Sequence, residues 1–130
     1  MRMDITLAGN DVVEARFAGQ TVRTAQDGSS PAPFDLFMAS LGTCTGYYVG
    51  KFCGQRGIPT DGIHIVQVVD RDPDTRMVRR IEIDVELPDS FPEKYREAVI
   101  RAAAQCSVKK VLASPPIIIT RATQPEPTTR

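Results

Sequence analysis

Charge of either sign is in no excess in this sequence: 16 Lys and Arg balance 16 Asp and Glu over 130 residues. A zero net charge argues against a general nucleic-acid binder, which needs a basic surface. It also argues against attachment to an anionic membrane by bulk charge. There is a single histidine, His64, so a Ser-His-Asp or Cys-His catalytic arrangement would depend wholly on it. His64 alternates with Val66 and Val68, opposite Ile63 and Ile65, and reads as a surface strand residue. The three cysteines, Cys44, Cys53 and Cys106, contain no CxxC pair. That removes a thioredoxin-type motif and leaves a zinc site, even with His64, without its usual ligand spacing. No GxGxxG or GxxxxGK phosphate loop is present.

Long apolar runs are also missing. The most apolar segment, residues 34–50, already carries Asp35 and falls short of a membrane span, which wants about 20 residues. Residues 1–7 alternate polar and apolar, include Arg2 and Asp4, and lack the apolar stretch of a secretory signal. With an odd cysteine count, this places the protein in a reducing compartment, the cytoplasm.

What is present is an ordinary globular composition, 42% hydrophobic and 25% charged. The length suits one domain, assigned to residues 1–122, with a Pro-containing loose tail over 123–130. Residues 3–7, 12–17 and 21–24 alternate and are joined by Gly9-Asn10-Asp11 and Gly19, a three-strand meander. Residues 34–55 predict a buried central helix ended by Gly57 and Pro59. Gly42, Gly46, Gly50 and Gly54 recur every fourth residue along it, and four glycines on one ridge imply close backbone approach by another element. Residues 62–70 and 77–87 alternate as an antiparallel hairpin with Glu82, Asp84 and Glu86 on its wet face. Residues 92–105 predict a second helix, capped by Ser90 with Glu93 in a capping box. Residues 107–113 form a short third helix, and Ile117-Ile118-Ile119-Thr120 a last strand. The order βββ-α-ββ-α-α-β is an α+β domain.

The thiols are the candidates for chemistry. Cys44 and Cys53 are nine residues apart, about half a turn out of phase on a helix, and cannot pair with each other. Cys44 lies mid-helix, Cys53 near the helix exit, and Cys106 just before a short helix, where a dipole would favour a thiolate. Taken singly, each cysteine reads equally as a small core hydrophobe.

The segment Pro33-Phe34-Asp35-Leu36-Phe37-Met38-Ala39-Ser40-Leu41-Gly42-Thr43-Cys44 resembles the first cysteine helix of the OsmC/Ohr family, the osmotically inducible and organic hydroperoxide resistance proteins. Gln105-Cys106-Ser107-Val108-Lys109-Lys110-Val111-Leu112 resembles its second cysteine segment, and the order of elements fits over residues 3–122. The resemblance implies an OsmC-like fold: an intertwined homodimer with long central helices buried between curved sheets. It implies a peroxidase in which Cys44 attacks an organic hydroperoxide as thiolate, its sulfenic acid condenses with Cys106, and a dithiol or lipoyl-type reductant reopens the disulfide. No metal or organic cofactor is implied, and Cys53 has no role beyond the core.

The family activates its thiolate with an arginine oriented by a glutamate. Arg23 is the better match for that arginine, with Arg16 second, while Phe34 stands at the glutamate position and Ser107 where a proline usually follows the second cysteine. These departures mark a divergent OsmC-like branch, in which Phe34 makes the pocket entrance more apolar and favours a bulky organic hydroperoxide over hydrogen peroxide. Two rival readings remain: a non-enzymatic dimer of the same fold that binds an apolar small molecule between subunits, and a purely structural use of all three cysteines.

Overall fold

The structure, a computed structural model, describes residues 1–125. The N-terminal meander consists of β1 (Asp4–Gly9), β2 (Val12–Phe17) and β3 (Gln20–Thr24), antiparallel in that order. Its turns are two residues long, with Asn10 and Asp11 both at positive φ and Ala18 and Gly19 likewise. Such turns match the twist of the flanking strands. Directly paired residues share a face, so Ile5, Leu7, Val13, Ala15 and Val22 form one apolar side. Glu14, Arg16 and Arg23 lie on the other side. Ile5 and Leu7 remain 58% and 83% exposed, so the chain itself leaves half of this apolar side uncovered.

Helix α1 (Pro33–Gln55) starts with Pro at the first position and Asp35 in the first turn, both suited to a helix N-terminus. Met38, Leu41, Thr45, Val49 and Phe52 form its buried stripe, spaced by three and four residues. The buried Thr45 hydroxyl is satisfied by the Leu41 carbonyl at 2.9 Å. At its end Gly57 has φ 64°, the Ile58 N–H donates to the Cys53 carbonyl and the Gly57 N–H to the Gly54 carbonyl. That is the Schellman arrangement, and it needs the left-handed residue that glycine supplies.

Strands β4 (His64–Arg71) and β5 (Val78–Glu86) form a separate antiparallel hairpin. Ile65 pairs with Val85, Gln67 with Ile83 and Val69 with Ile81 on the face toward the helices. His64, Val66 and Val68 pair with Glu86, Asp84 and Glu82 on the outer face. The Asp72 carboxylate closes the turn by accepting from the N–H groups of Asp74 and Thr75 at 2.9 and 3.0 Å. The main core gathers Val49, Phe52, Cys53, Phe91, Val99 and Ala103, packed by Ile63, Ile65, Val85 and Leu87.

Helix α2 (Arg96–Ala103) is shorter than the sequence pattern suggests, and the capping box at Ser90 is not made. Residues Glu93–Tyr95 form one tight 3-10 turn ahead of it. The Glu93 carboxylate turns forward to Arg96 at 2.7 Å instead of back to the Ser90 backbone. Arg96 is anchored in turn on the Pro88 carbonyl at 3.1 Å. Helix α3 (Ser107–Ala113) follows directly. The last strand expected over 117–120 is absent among the described residues: Ile117, Ile118 and Ile119 are 90%, 84% and 69% exposed and join no sheet. A strand forms only where a neighbouring edge takes its hydrogen bonds, and this chain brings no edge to that segment. Residues 126–130 of the expected tail lie outside the described residues.

The glycine ridge divides in two. A Cβ on Gly42 would stand 2.7 Å from Gln67 Oε1, and one on Gly46 3.6 Å from Ile65 Cδ1, so the first half of α1 lies tight against β4. Nothing lies within 4 Å of the corresponding position on Gly50 or Gly54, which corrects the expectation of close packing along the whole ridge.

Candidate active site

Cys44 lies on the side of α1 that meets α3, partly exposed, while Cys53 is fully buried in the core on the opposite side. Cys106 is also fully buried, and it is the residue that caps α3. Its backbone is extended (φ −52°, ψ 121°), which turns the chain sharply from α2 into α3 and sets the N–H groups of Ser107 and Val108 toward α1. Of the neighbouring side chains, the Cys106 thiol acts most strongly on the Cys44 sulfur in favour of its charged form. The Cys44 sulfur also lies 3.8 Å from the Ser107 hydroxyl, where either group can donate.

The electrostatics of Cys44 follow from these neighbours. Burial by itself would raise its pKa. The Cys106 thiol, the Val108 N–H, and the hydroxyl and N–H of Ser107 together outweigh burial and hold Cys44 below the ordinary thiol range. Hydrogen bonds to the charged form favour ionisation. Cys53 shows the contrast: burial pushes its thiol up, only partly offset by the Arg56 charge. A buried thiol whose pKa is pushed up and an accessible one whose pKa is held down thus share a single helix.

Helices α1 and α3 also frame, with β5, an open hollow of about 270 Å³ lined by Leu41, Ile81, Ile83, Leu112 and Lys109. Its walls are aliphatic, with one cationic side chain.

The arginines expected at the site lie elsewhere in the chain. Arg23, on β3, pairs with Glu14 at 3.3 Å, and Arg16 reaches the same carboxylate at 3.5 Å. Neither bonds to Cys44. At the start of α1, the Phe34 ring lies 6.3 Å from Phe37 and carries the Arg71 guanidinium stacked at 4.1 Å from its centre. His64 sits on the outer sheet face, exposed, with Glu86 3.5 Å away. Among the described residues no three His, Cys, Asp or Glu side chains converge as metal ligands would. No helix there is long and apolar enough to cross a membrane. Two contacts escaped sequence reasoning: Ser107 against Cys44, and Arg71 on Phe34. The first had a local signal, a hydroxyl residue directly after the cysteine that opens a helix.

The model of the OsmC-like protein family matches residues 26–121 of the chain. Among solved structures, the fold is similar to a candidate osmotic-stress-induced and detoxification-response protein of Psychrobacter arcticus 273-4, at 21% identity. That alignment covers 83% of this chain and 85% of the other, with a TM-score of 0.69. An OsmC-like protein of Mycoplasma pneumoniae matches at 14% identity over 88% and 89%, TM-score 0.64. An OsmC-like hydroperoxide resistance protein of Jannaschia sp. CCS1 matches at 20% identity over 94% and 91%, TM-score 0.55. Identities this low speak for the fold alone. Comparison with curated proteins finds no significant match.

Proposed function

Since the chain belongs to the OsmC-like protein family, we propose that it is a thiol-dependent peroxidase that reduces organic hydroperoxides in oxidative-stress defence. The observation that carries this reading is that the partly exposed Cys44 sulfur meets the start of the helix capped by Cys106, with the Ser107 hydroxyl 3.8 Å away, and is held toward its ionised form by those neighbours. The hydroperoxide resistance protein of Jannaschia sp. CCS1, which shares the fold, points to the same substrate class.

In the first step the Cys44 thiolate attacks one peroxide oxygen. The S–O bond forms, the O–O bond breaks, and the departing alkoxide takes a proton to leave as the alcohol. Cys44 is then a sulfenic acid. In the second step the Cys106 sulfur displaces that oxygen, which leaves as water with the thiol proton, and the disulfide closes. Cys106 caps the helix whose first residue faces Cys44, so this closure joins neighbouring elements of one chain. A dithiol, of lipoyl type or similar, then takes up the disulfide by exchange and leaves both cysteines reduced while it becomes a disulfide itself. The aliphatic hollow lined by Leu41, three residues before Cys44 on α1, with Ile81, Ile83 and Leu112 supports an organic substrate.

The active species is a homodimer in the cytoplasm. The uncovered apolar side of the meander, with Ile5 and Leu7, and the unpaired 117–119 segment support a second copy as the missing cover. Arg23 contributes to catalysis in that assembly. Within one chain its partner is Glu14.

The test is stopped-flow reaction of the reduced protein with cumene hydroperoxide, followed by peptide mass spectrometry. Rapid consumption with a Cys44–Cys106 crosslink is expected, abolished in C44S and retained in C53A. Negligible consumption by the wild type would overturn the reading. It would favour the non-enzymatic dimer that binds an apolar small molecule between subunits.

A further inference from the structure

The Ser107 hydroxyl stands 3.8 Å from the Cys44 sulfur, and that sulfur is its hydrogen-bond partner. Ser107 is the first residue of α3, so its side chain is not engaged in capping the helix, a role that falls to Cys106. It is exposed, and nothing in the core requires a hydroxyl there. Among the described residues no lysine or arginine bonds the Cys44 sulfur. Within one chain, the donors to a thiolate at this position are neutral.

We propose that Ser107 is a catalytic residue of this site, its hydroxyl donating to the Cys44 thiolate from within the same chain. For its consequence in turnover the proposal rests on the peroxidase reading. The ionisation of Cys44 tests it independently of any substrate. At 3.8 Å the contact is long, and the net magnitude of an ordinary hydrogen bond corresponds to about a three- to tenfold change in the population of the charged form. The backbone N–H of Ser107 adds a second donor that a side-chain deletion leaves intact.

The experiment is iodoacetamide alkylation of the reduced full-length chain across a pH series, read at the Cys44 peptide by mass spectrometry. In S107A the Cys44 thiolate fraction near neutral pH falls about three- to tenfold. In S107T, which keeps the hydroxyl, it stays within about twofold of wild type. S107P removes both hydroxyl and N–H and falls further than S107A. Proline fits there because a helix tolerates it at the first position, and because Cys106 before it is already extended. Circular dichroism and Tm confirm that each variant folds. A fall in S107A restored in S107T supports the proposal, because a structural role alone leaves the Cys44 pH profile in place. Identical profiles in wild type, S107A and S107T overturn it, whether or not the wild type consumes hydroperoxide. If the profiles shift and the wild type does not turn over, the peroxidase reading falls and the role of Ser107 in ionising Cys44 stands.

Discussion

The side-chain amide of Gln67 donates to the backbone carbonyl of Met38 at 2.8 Å, inside the hydrogen-bond ladder of α1. Its Oε1 is buried without a partner and faces the Cα of Gly42. Strand β4 is thus bonded to the helix that carries Cys44, and only a residue without a side chain leaves room for that contact.

Substitution of Gly42 by Ala would set a methyl group 2.7 Å from Gln67 Oε1. Gln67 would have to swing away and release Met38. Overpacking and the lost Gln67–Met38 bond cost about 1–3 kcal/mol, offset by about 0.5–1 kcal/mol of helix propensity, so a smaller net loss of stability is expected. Gly54→Ala meets open space and is expected to add about 0.5–1 kcal/mol through helix propensity. Urea unfolding of both variants checks the pair, and equal effects of the same sign would contradict the asymmetry of the ridge.

Cys44 is held below the ordinary thiol range, so peroxide consumption should follow its thiolate down in pH. The rising limb of the rate lies at lower pH than that of an ordinary free thiol. The same shift acts on folding. A group whose folded pKa is depressed contributes stability that is fully present above its unfolded pKa and is lost as pH falls through the folded value. The stability difference between wild type and C44S should therefore grow with rising pH across that window. A difference that stays flat there would show that the thiolate is not favoured by the fold.

Leu7→Asp places a charge on the uncovered apolar side of the meander, where the single chain leaves Leu7 83% exposed. It should be nearly neutral for a monomer. In the proposed dimer it buries an unpaired carboxylate, so light scattering should report dissociation at concentrations where the wild type is dimeric. A monomeric wild type would remove the dimer from the proposal.

Much of this architecture was legible in the residues. The alternation of 12–17, 62–70 and 77–87 and the Gly57 stop reflect local backbone preferences and one-sided burial. So does the half-turn offset of Cys44 from Cys53, since nine residues of helix set it regardless of surroundings. The resemblance of the two cysteine segments led to the family that the match over residues 26–121 establishes. The misreadings involve competition with distant groups. Glu93 could serve the Ser90 backbone or Arg96, and Arg96 won because the Pro88 carbonyl already holds it in place. Ile117-Ile118-Ile119 has the composition of a strand, yet a strand needs an edge from elsewhere.

Sequence by itself determined the elements, their order and the placement of Cys44 and Cys53 on opposite sides of one helix, because periodicity and turn chemistry act over a few residues. Only the tertiary structure decided which thiol meets which. The fold closes 62 residues of chain so that Cys106, at the cap of α3, comes beside Cys44 and turns Ser107 onto its sulfur. It decided too that Gly42 needs its missing side chain while Gly54 does not, and that Arg23 faces Glu14. Those outcomes depend on the packing of elements remote in sequence, which no local pattern encodes.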